Sequence, residues 1–400
     1  MNIMDYLAWR GDLSFAADPF AEADDLVLSQ LSYLDLSGIV PGNFTEEIGL
    51  AEAQRAYAER HPDIEKEDVP ALVKECAGLF EAMAKSDRYA SALLSGCRRE
   101  VSIEREYQFA AVTARLSTGE RYVSFSGTDS TVAGWKEDFN LAFMDKTPGQ
   151  EMALAYLTEA IGSAPGGVIS GGHSKGGNFA VYAAMHLRPE LQDRLIAVYN
   201  NDGPGFTQKM MNGEGYAAIQ GRLRTFLPRS SVVGLLMDHT SDYQVVRSSG
   251  KGILQHDVFT WEVLGKHPVY AEALSPESAA LDQAFKTWLG GMDDETRRRF
   301  VDSLFSILTK GNIEDTGALG HMSPQQLMNL IHVVAEMDAE GKEAVTDSMR
   351  SLLRSYGEAE IDRRGLRGAA DRLERLRENI KKKKQTLPAL RADQPEKKTE

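Results

Sequence analysis

The chain has 400 residues, with 45 Lys and Arg against 59 Asp and Glu, a net charge of −14. Hydrophobic residues make up 42% and charged residues 26%, proportions of a globular chain rather than a disordered or fibrous one. The acid excess argues against general nucleic-acid binding, which needs a basic face, and two cysteines, Cys76 and Cys97, exclude a disulfide scaffold and an all-cysteine metal cluster. The start, MNIMDYLAWRGDLSF, lacks the basic end and unbroken apolar run of a secretory peptide. No stretch approaches the roughly 20 apolar residues of a spanning helix. These features predict a soluble, cytoplasmic protein.

Residues 1 to about 95 read as helical. Leu26, Leu28, Leu31 and Leu34 recur near helical spacing, residues 46–62 and 69–96 are rich in helix formers, and His61-Pro62 ends one helix. Residues 1–98 are therefore expected to form an N-terminal helical cap. Residues 99–268 change character: short β-branched or aromatic runs appear in QFAAVTARL, ERYVSFSG, GGVISGG, LIAVYNNDG, RLRTFLP and YQVVRSS. The first two, joined around Ser117-Thr118-Gly119-Glu120, read as an antiparallel hairpin. The later ones alternate with helical pieces, which predicts right-handed crossovers and an α/β fold with a mixed, mainly parallel sheet. Residues 269–361 return to helix, with Leu281, Phe285 and Leu289 four apart, Phe300, Leu304 and Leu308 repeating the pattern, and Pro324 placed as a first helical residue. The last segment, 362–400, begins with a basic stretch: 362–384 holds ten basic and four acidic residues. It reads either as a solvated helix before a disordered tail, or as a weak contact for an acidic partner or membrane surface.

The most informative stretch is GGVISGGHSKGGNFAVYAA, residues 166–184. A buried strand runs into Gly172-His173-Ser174-Lys175-Gly176 and a helix begins at once, the strand–turn–helix setting that a G-x-S-x-G nucleophile elbow requires. Ser174 would project from a sharp turn that closes only if its neighbours lack side chains. The Lys175 N–H, at the helix N-terminus, would donate to an oxyanion. A structural serine in a tight turn and a glycine-rich phosphate loop are the alternatives, the latter without the P-loop spacing. Upstream, a strand ends at Gly127-Thr128, where the Thr128 N–H, with its hydroxyl, is a candidate second donor. Trp135 and Asp138 follow at helical spacing, as in a short lid.

These residues resemble the class 3 lipases of the α/β-hydrolase superfamily, in which an F-x-G-T strand end and a W-x-x-D segment precede a G-H-S-x-G-G elbow. The matches are Phe125, Gly127, Thr128, Trp135, Asp138, Gly172, His173, Ser174, Gly176 and Gly177, with Ser126 where those lipases carry Arg. That resemblance spans about 100–265. Over about 1–340 the chain is more closely similar to the bacterial Mbeg1-like family, through MDYLAWRGDLSF, GGHSKGGNFAVYAA, YNNDGPGF and ILQHDVFTWEV. The resemblance implies an α/β-hydrolase fold and a small-molecule or lipid ester as substrate.

A serine hydrolase needs a base and an orienting acid, which follow the serine in α/β-hydrolases. His61, His173 and His186 fail that order, and His173 is expected to pack beneath the turn. His267, His321 and His332 fall in or near the helical region. His256, in the loop after the last strand, occupies the superfamily's place for the base, and His239 is the alternative. The acid's usual segment in class 3 lipases corresponds to FLPRSSVVG, where Ser230 and Ser231 stand and no carboxylate does. Asp202, at the next strand's end, is favoured, with Asp238 or Asp242 as alternatives and a simple Asx turn as the structural reading. No H-E-x-x-H, C-x-x-C or EF-hand loop occurs, so no cofactor is required, and Asp129, Asp138 and Asp145 read as solvated or lid residues. The competing expectation is a non-catalytic interaction protein on a hydrolase-like scaffold.

Overall fold

The computed structural model describes residues 1–280, apart from 130, 131, 142, 143, 145, 240, 241 and 277, together with positions 283, 287 and 295. The helical repeats expected at 281–308, the helix start at Pro324, the basic segment 362–384, His321, His332 and Asp145 lie outside the described residues.

Eight strands form one sheet in strict chain order: β1 (Ile48–Gly49), β2 (Leu93–Ser102), β3 (Tyr107–Arg115), β4 (Arg121–Phe125), β5 (Val168–His173), β6 (Leu195–Asn201), β7 (Leu223–Pro228) and β8 (Gln244–Val246). Pairings from β1 to β4 are antiparallel and those from β4 to β8 parallel. The fold is thus α/β with a mixed, mostly parallel sheet. Every parallel step moves the same way along the sheet, so right-handed crossovers put their helices on one face. Between β4 and β5 run α5 (Val132–Asn140) and α6 (Pro148–Gly162); α7 (Lys175–His186) and α8 (Pro189–Gln192) precede β6, and α9 (Gln208–Met211) and α10 (Glu214–Gln220) precede β7, while α1 (Ile3–Arg10), α2 (Glu22–Leu28), α3 (Leu50–Arg60) and α4 (Ala71–Ala84) come before them in the chain. Thr147 caps α6, accepting from the Gln150 N–H, while the Gln150 side chain reaches back to the Thr147 amide.

The sheet separates two cores. Tyr156, Leu157, Phe179, Ala183 and Ile219 pack with Phe109, Ala111, Val123 and Phe125 on the crossover face. On the other face Leu7, Leu26, Leu31, Leu50 and Phe80 pack with Val112, Ala114, Tyr122, Ile169 and Phe226. Alternate residues of β3 and β4 therefore serve opposite cores, the two-residue period of a strand. The N-terminal helices are the second layer of this sandwich.

The expectation of a purely helical region up to about residue 95 is corrected at β1 and at the start of β2. The β2 register slips between Ser95 and Arg98, and Gly96 sits at φ +64. Such a bulge interrupts the alternation by which a strand is recognised, and Arg98, Arg99 and Glu100 then mask its hydrophobic character. Helix α3 ends at Arg60, with His61 as its C-cap, in agreement with the His61-Pro62 break. Among the described residues no helix is long and apolar enough to cross a membrane.

Candidate active site

Residue 174 is where β5 passes into α7. Ser174 has φ 56 and ψ −133, a conformation that costs a non-glycine residue energy and marks a strained turn. The turn closes because its neighbours are bare: a Cβ at Gly176 would collide with the Phe125 carbonyl oxygen, and one at Gly172 with the Gly176 backbone. The Ser174 N–H donates to the Asn201 carbonyl at 2.9 Å, which ties the turn to the end of β6. Lys175 is the first residue of α7, where backbone amides have no acceptor within the helix.

The Lys175 side chain holds its own fully buried network. Its Nζ donates to the Gln108 carbonyl at 3.1 Å, Gln108 Oε1 at 2.9 Å and Glu137 Oε2 at 3.1 Å. Glu137 also accepts from the Gly149 N–H (2.8 Å) and the Gln108 N–H (3.2 Å). A buried ion pair persists only when its remaining hydrogen-bonding positions are filled, as they are here. It joins the elbow to β3 and α5.

Asp202 and His256 meet. Asp202, fully buried at the end of β6 with φ 53, faces His256, and its Oδ2 lies 2.7 Å from His256 Nδ1. Its Oδ1 accepts from Ser231 Oγ at 2.5 Å. A carboxylate can only accept, so the His256 Nδ1 carries the proton and the neutral ring keeps Nε2 as its basic nitrogen. Ser231 lies in the segment where class 3 lipases were expected to place the acid; it supplies a hydroxyl to Asp202 instead. Asp238 Oδ2 accepts from the Gln208 amide at 3.0 Å, Asp242 Oδ2 from the Gln220 amide at 3.1 Å, and His239 Nε2 pairs with the Gly234 carbonyl.

His256 closes a 3-10 turn, Gly252–His256, fastened at three points. Trp261 Nε1 donates to the Gln255 carbonyl at 2.8 Å, the Ser230 N–H donates to Gln255 Oε1 at 2.9 Å, and His173 Nε2 lies 2.7 Å from the His256 carbonyl. The rings of His173 and His256 are 4.5 Å apart, so the histidine that precedes Ser174 stands beside His256. Burial pushes the His173 pKa well below its usual range, and the neighbouring His256 adds to the effect, so His173 is neutral. Its Nε2 must donate, because a carbonyl cannot; its Nδ1 therefore accepts from Tyr33 Oη at 2.8 Å. A Cβ at Gly127 would collide with that same Tyr33 hydroxyl and approach Ser174 Cβ to 3.0 Å. Tyr33, from the N-terminal layer, thus abuts the Gly127-Thr128 strand end and the elbow, and reaches the loop that carries His256 through His173.

The Thr128 hydroxyl is committed: Oγ1 donates to Asp138 Oδ2 at 2.5 Å. Burial raises the Asp138 carboxyl to about 6, against the opposing effects of Lys175 and the Thr128 bond. This differs from the expectation that the hydroxyl donates to an oxyanion: its proton is directed to Asp138. Asp129 lies 3.7 Å from Arg99 in an ion pair. Among the described residues no group of three or more His, Cys, Asp or Glu side chains is placed to hold a metal ion.

A family model described as Mbeg1-like matches residues 83–306, more than half of the chain and the span that holds Ser174, Asp202 and His256. The chain belongs to the Mbeg1-like family. No curated protein and no solved structure matched it. In this Mbeg1-like chain the match begins at the end of α4, so Tyr33 and the rest of the first layer come from residues before the matched span. Sequence reasoning missed Tyr33, Ser231, Glu137 and Gln108. For the pair Lys175 and Glu137 one signal existed: a lone lysine in an otherwise apolar helix start.

Proposed function

We propose that this Mbeg1-like protein is a serine hydrolase of the α/β-hydrolase kind that cleaves acyl esters of small molecules or lipids. Ser174 is the nucleophile, His256 the base and Asp202 the acid that orients it, with the amides of Lys175 and Thr128 as oxyanion donors. The observation that carries the reading is the 2.7 Å contact from a fully buried Asp202 to His256 Nδ1, beside an elbow serine at positive φ.

The chemistry follows from that tautomer. His256 Nε2 takes the Ser174 proton as Oγ attacks the ester carbonyl. The two amides hold the tetrahedral oxyanion. His256 then returns the proton to the departing alcohol, and water repeats the sequence on the acyl-enzyme. A fluorophosphonate probe tests the reading, because it reacts only with an activated serine. The wild-type chain becomes labelled and Ser174→Ala does not. A wild-type chain that stays unlabelled across the pH range would leave the non-catalytic scaffold as the reading.

Tyr33→Phe gives a finer test. It removes the donor to His173 Nδ1, which lets His173 change tautomer and release the His256 carbonyl. A lost buried hydrogen bond of this kind costs roughly 1–3 kcal/mol, so the labelling rate of Ser174 falls about tenfold or more. Far-ultraviolet dichroism stays that of the wild type. An unchanged labelling rate would show that Tyr33 only packs.

A further inference from the structure

A cleft of about 280 Å³ opens where β7 and β8 end, on the sheet edge that also carries Ser174. Arg229, Arg247, Ser230, Gln255 and the carboxylate Glu262 are among the residues that line it. Both arginines grow from fixed backbone. The Arg229 N–H donates to the Val246 carbonyl at 3.1 Å and its carbonyl accepts from the Ser275 N–H at 2.6 Å. The Arg247 N–H donates to the Val269 carbonyl and its carbonyl accepts from the Glu262 N–H, both at 2.8 Å. Glu262 Oε2 lies 3.4 Å from Arg247 Nε, so one carboxylate stands against two guanidinium groups and the lining stays net positive.

Planar guanidinium forks match the geometry of a phosphate or carboxylate group. Ligands of open α/β sheets gather at the carboxyl ends of the strands, which is where this cleft lies. It also borders the proposed catalytic pair along the chain: Gln255 precedes His256, Ser230 precedes Ser231, and the Ser230 N–H donates to Gln255 Oε1 at 2.9 Å. The geometry points to an oxyanion-binding site in this cleft, held by the guanidinium groups of Arg229 and Arg247, that takes a phosphate or carboxylate group. Its occupant touches the residues that precede the base and the hydroxyl partner of its acid. The binding claim does not depend on the hydrolase reading.

The test titrates inorganic phosphate into the full chain at constant ionic strength, with chloride as balance, and follows thermal unfolding. Phosphate produces a saturable rise in Tm of about 2 °C at ten times Kd. The rise is lost in Arg229→Gln/Arg247→Gln and partly kept in Arg229→Lys/Arg247→Lys, which retains charge without the fork. A second arm separates the sources of the anion. If the anion belongs to the substrate, KM for an ester ending in a carboxylate rises in Arg229→Gln while KM for the neutral ester of equal length holds. If it is free, phosphate changes the turnover of the neutral ester. No saturable shift, or the same shift in the Gln double variant, overturns the site. Failure of turnover with a retained phosphate shift would instead count against the hydrolase reading alone.

Discussion

Asp202→Asn lowers kcat on a soluble ester by about 10⁴-fold and leaves KM within a few-fold. The size follows from the tautomer. Asp202 Oδ2 now accepts from His256 Nδ1 at 2.7 Å, while its Oδ1 takes the Ser231 hydroxyl at 2.5 Å. The Ser231 hydroxyl holds the remaining amide oxygen of the variant in place, so the new NH2 group faces His256. A donor there turns Nδ1 into an acceptor and moves the ring proton to Nε2, where it blocks removal of the Ser174 proton. The substrate still binds, because neither residue is asked to hold it. Ser231→Ala gives a smaller loss, about tenfold, since it removes one neutral hydrogen bond to the acid. Asp238→Asn and Asp242→Asn leave kcat unchanged, because their carboxylates are occupied with Gln208 and Gln220. Steady-state kinetics on the four variants decides the matter. An Asp202→Asn enzyme within tenfold of wild type would place the acid elsewhere.

What the sequence disclosed follows the range over which each feature is encoded. The elbow is local: strand, turn and helix occupy 168–186, and each glycine answers a nearby collision. Strands β3 to β8 were legible for the same reason, as short runs bounded by turn residues. Strand β2 was not, because its bulge at Gly96 breaks the pattern within the element itself. Asp202 and His256 were reached through chain order, which is a property of the superfamily the chain resembles; nothing in their own neighbourhoods pairs them across 54 positions. Tyr33 lies 140 residues from His173 in a segment whose leucine spacing spoke only of packing. Its hydroxyl matters because the first layer folds onto the sheet directly beneath the elbow, and that placement is a property of the whole sandwich.

Arg88→Met costs about 3–5 kcal/mol of stability and lowers Tm on the order of 10 °C. Arg88 and Asp24 are both fully buried, and each fills the other's requirements. Arg88 Nε donates to Asp24 Oδ1 and Nη2 to Oδ2, both at 2.6 Å, while Nη1 donates to the carbonyls of Leu13 (3.0 Å) and Asp18 (2.9 Å). Asp24 further accepts from Tyr6 Oη at 2.9 Å, Tyr89 Oη at 2.5 Å and the Ala21 N–H at 2.9 Å. One pair thereby fastens α1, α2 and the turn after α4. Methionine fills much of the volume but leaves a carboxylate in an apolar interior without its cation. Adding Asp24→Asn removes that charge and restores part of the loss, which distinguishes an unpaired charge from a packing defect. The form of the transition is equally informative. Leu26 and Phe80 share a core with Tyr122, Ile169 and Phe226 of the central strands, so the first layer cannot leave without exposing the sheet. Urea unfolding of Arg88→Met is therefore one cooperative step at a lower midpoint, and Ser174 labelling disappears along the same curve. Two separate steps, with labelling surviving the first, would show that the N-terminal layer folds as an independent cap and that Tyr33 contributes nothing the elbow needs.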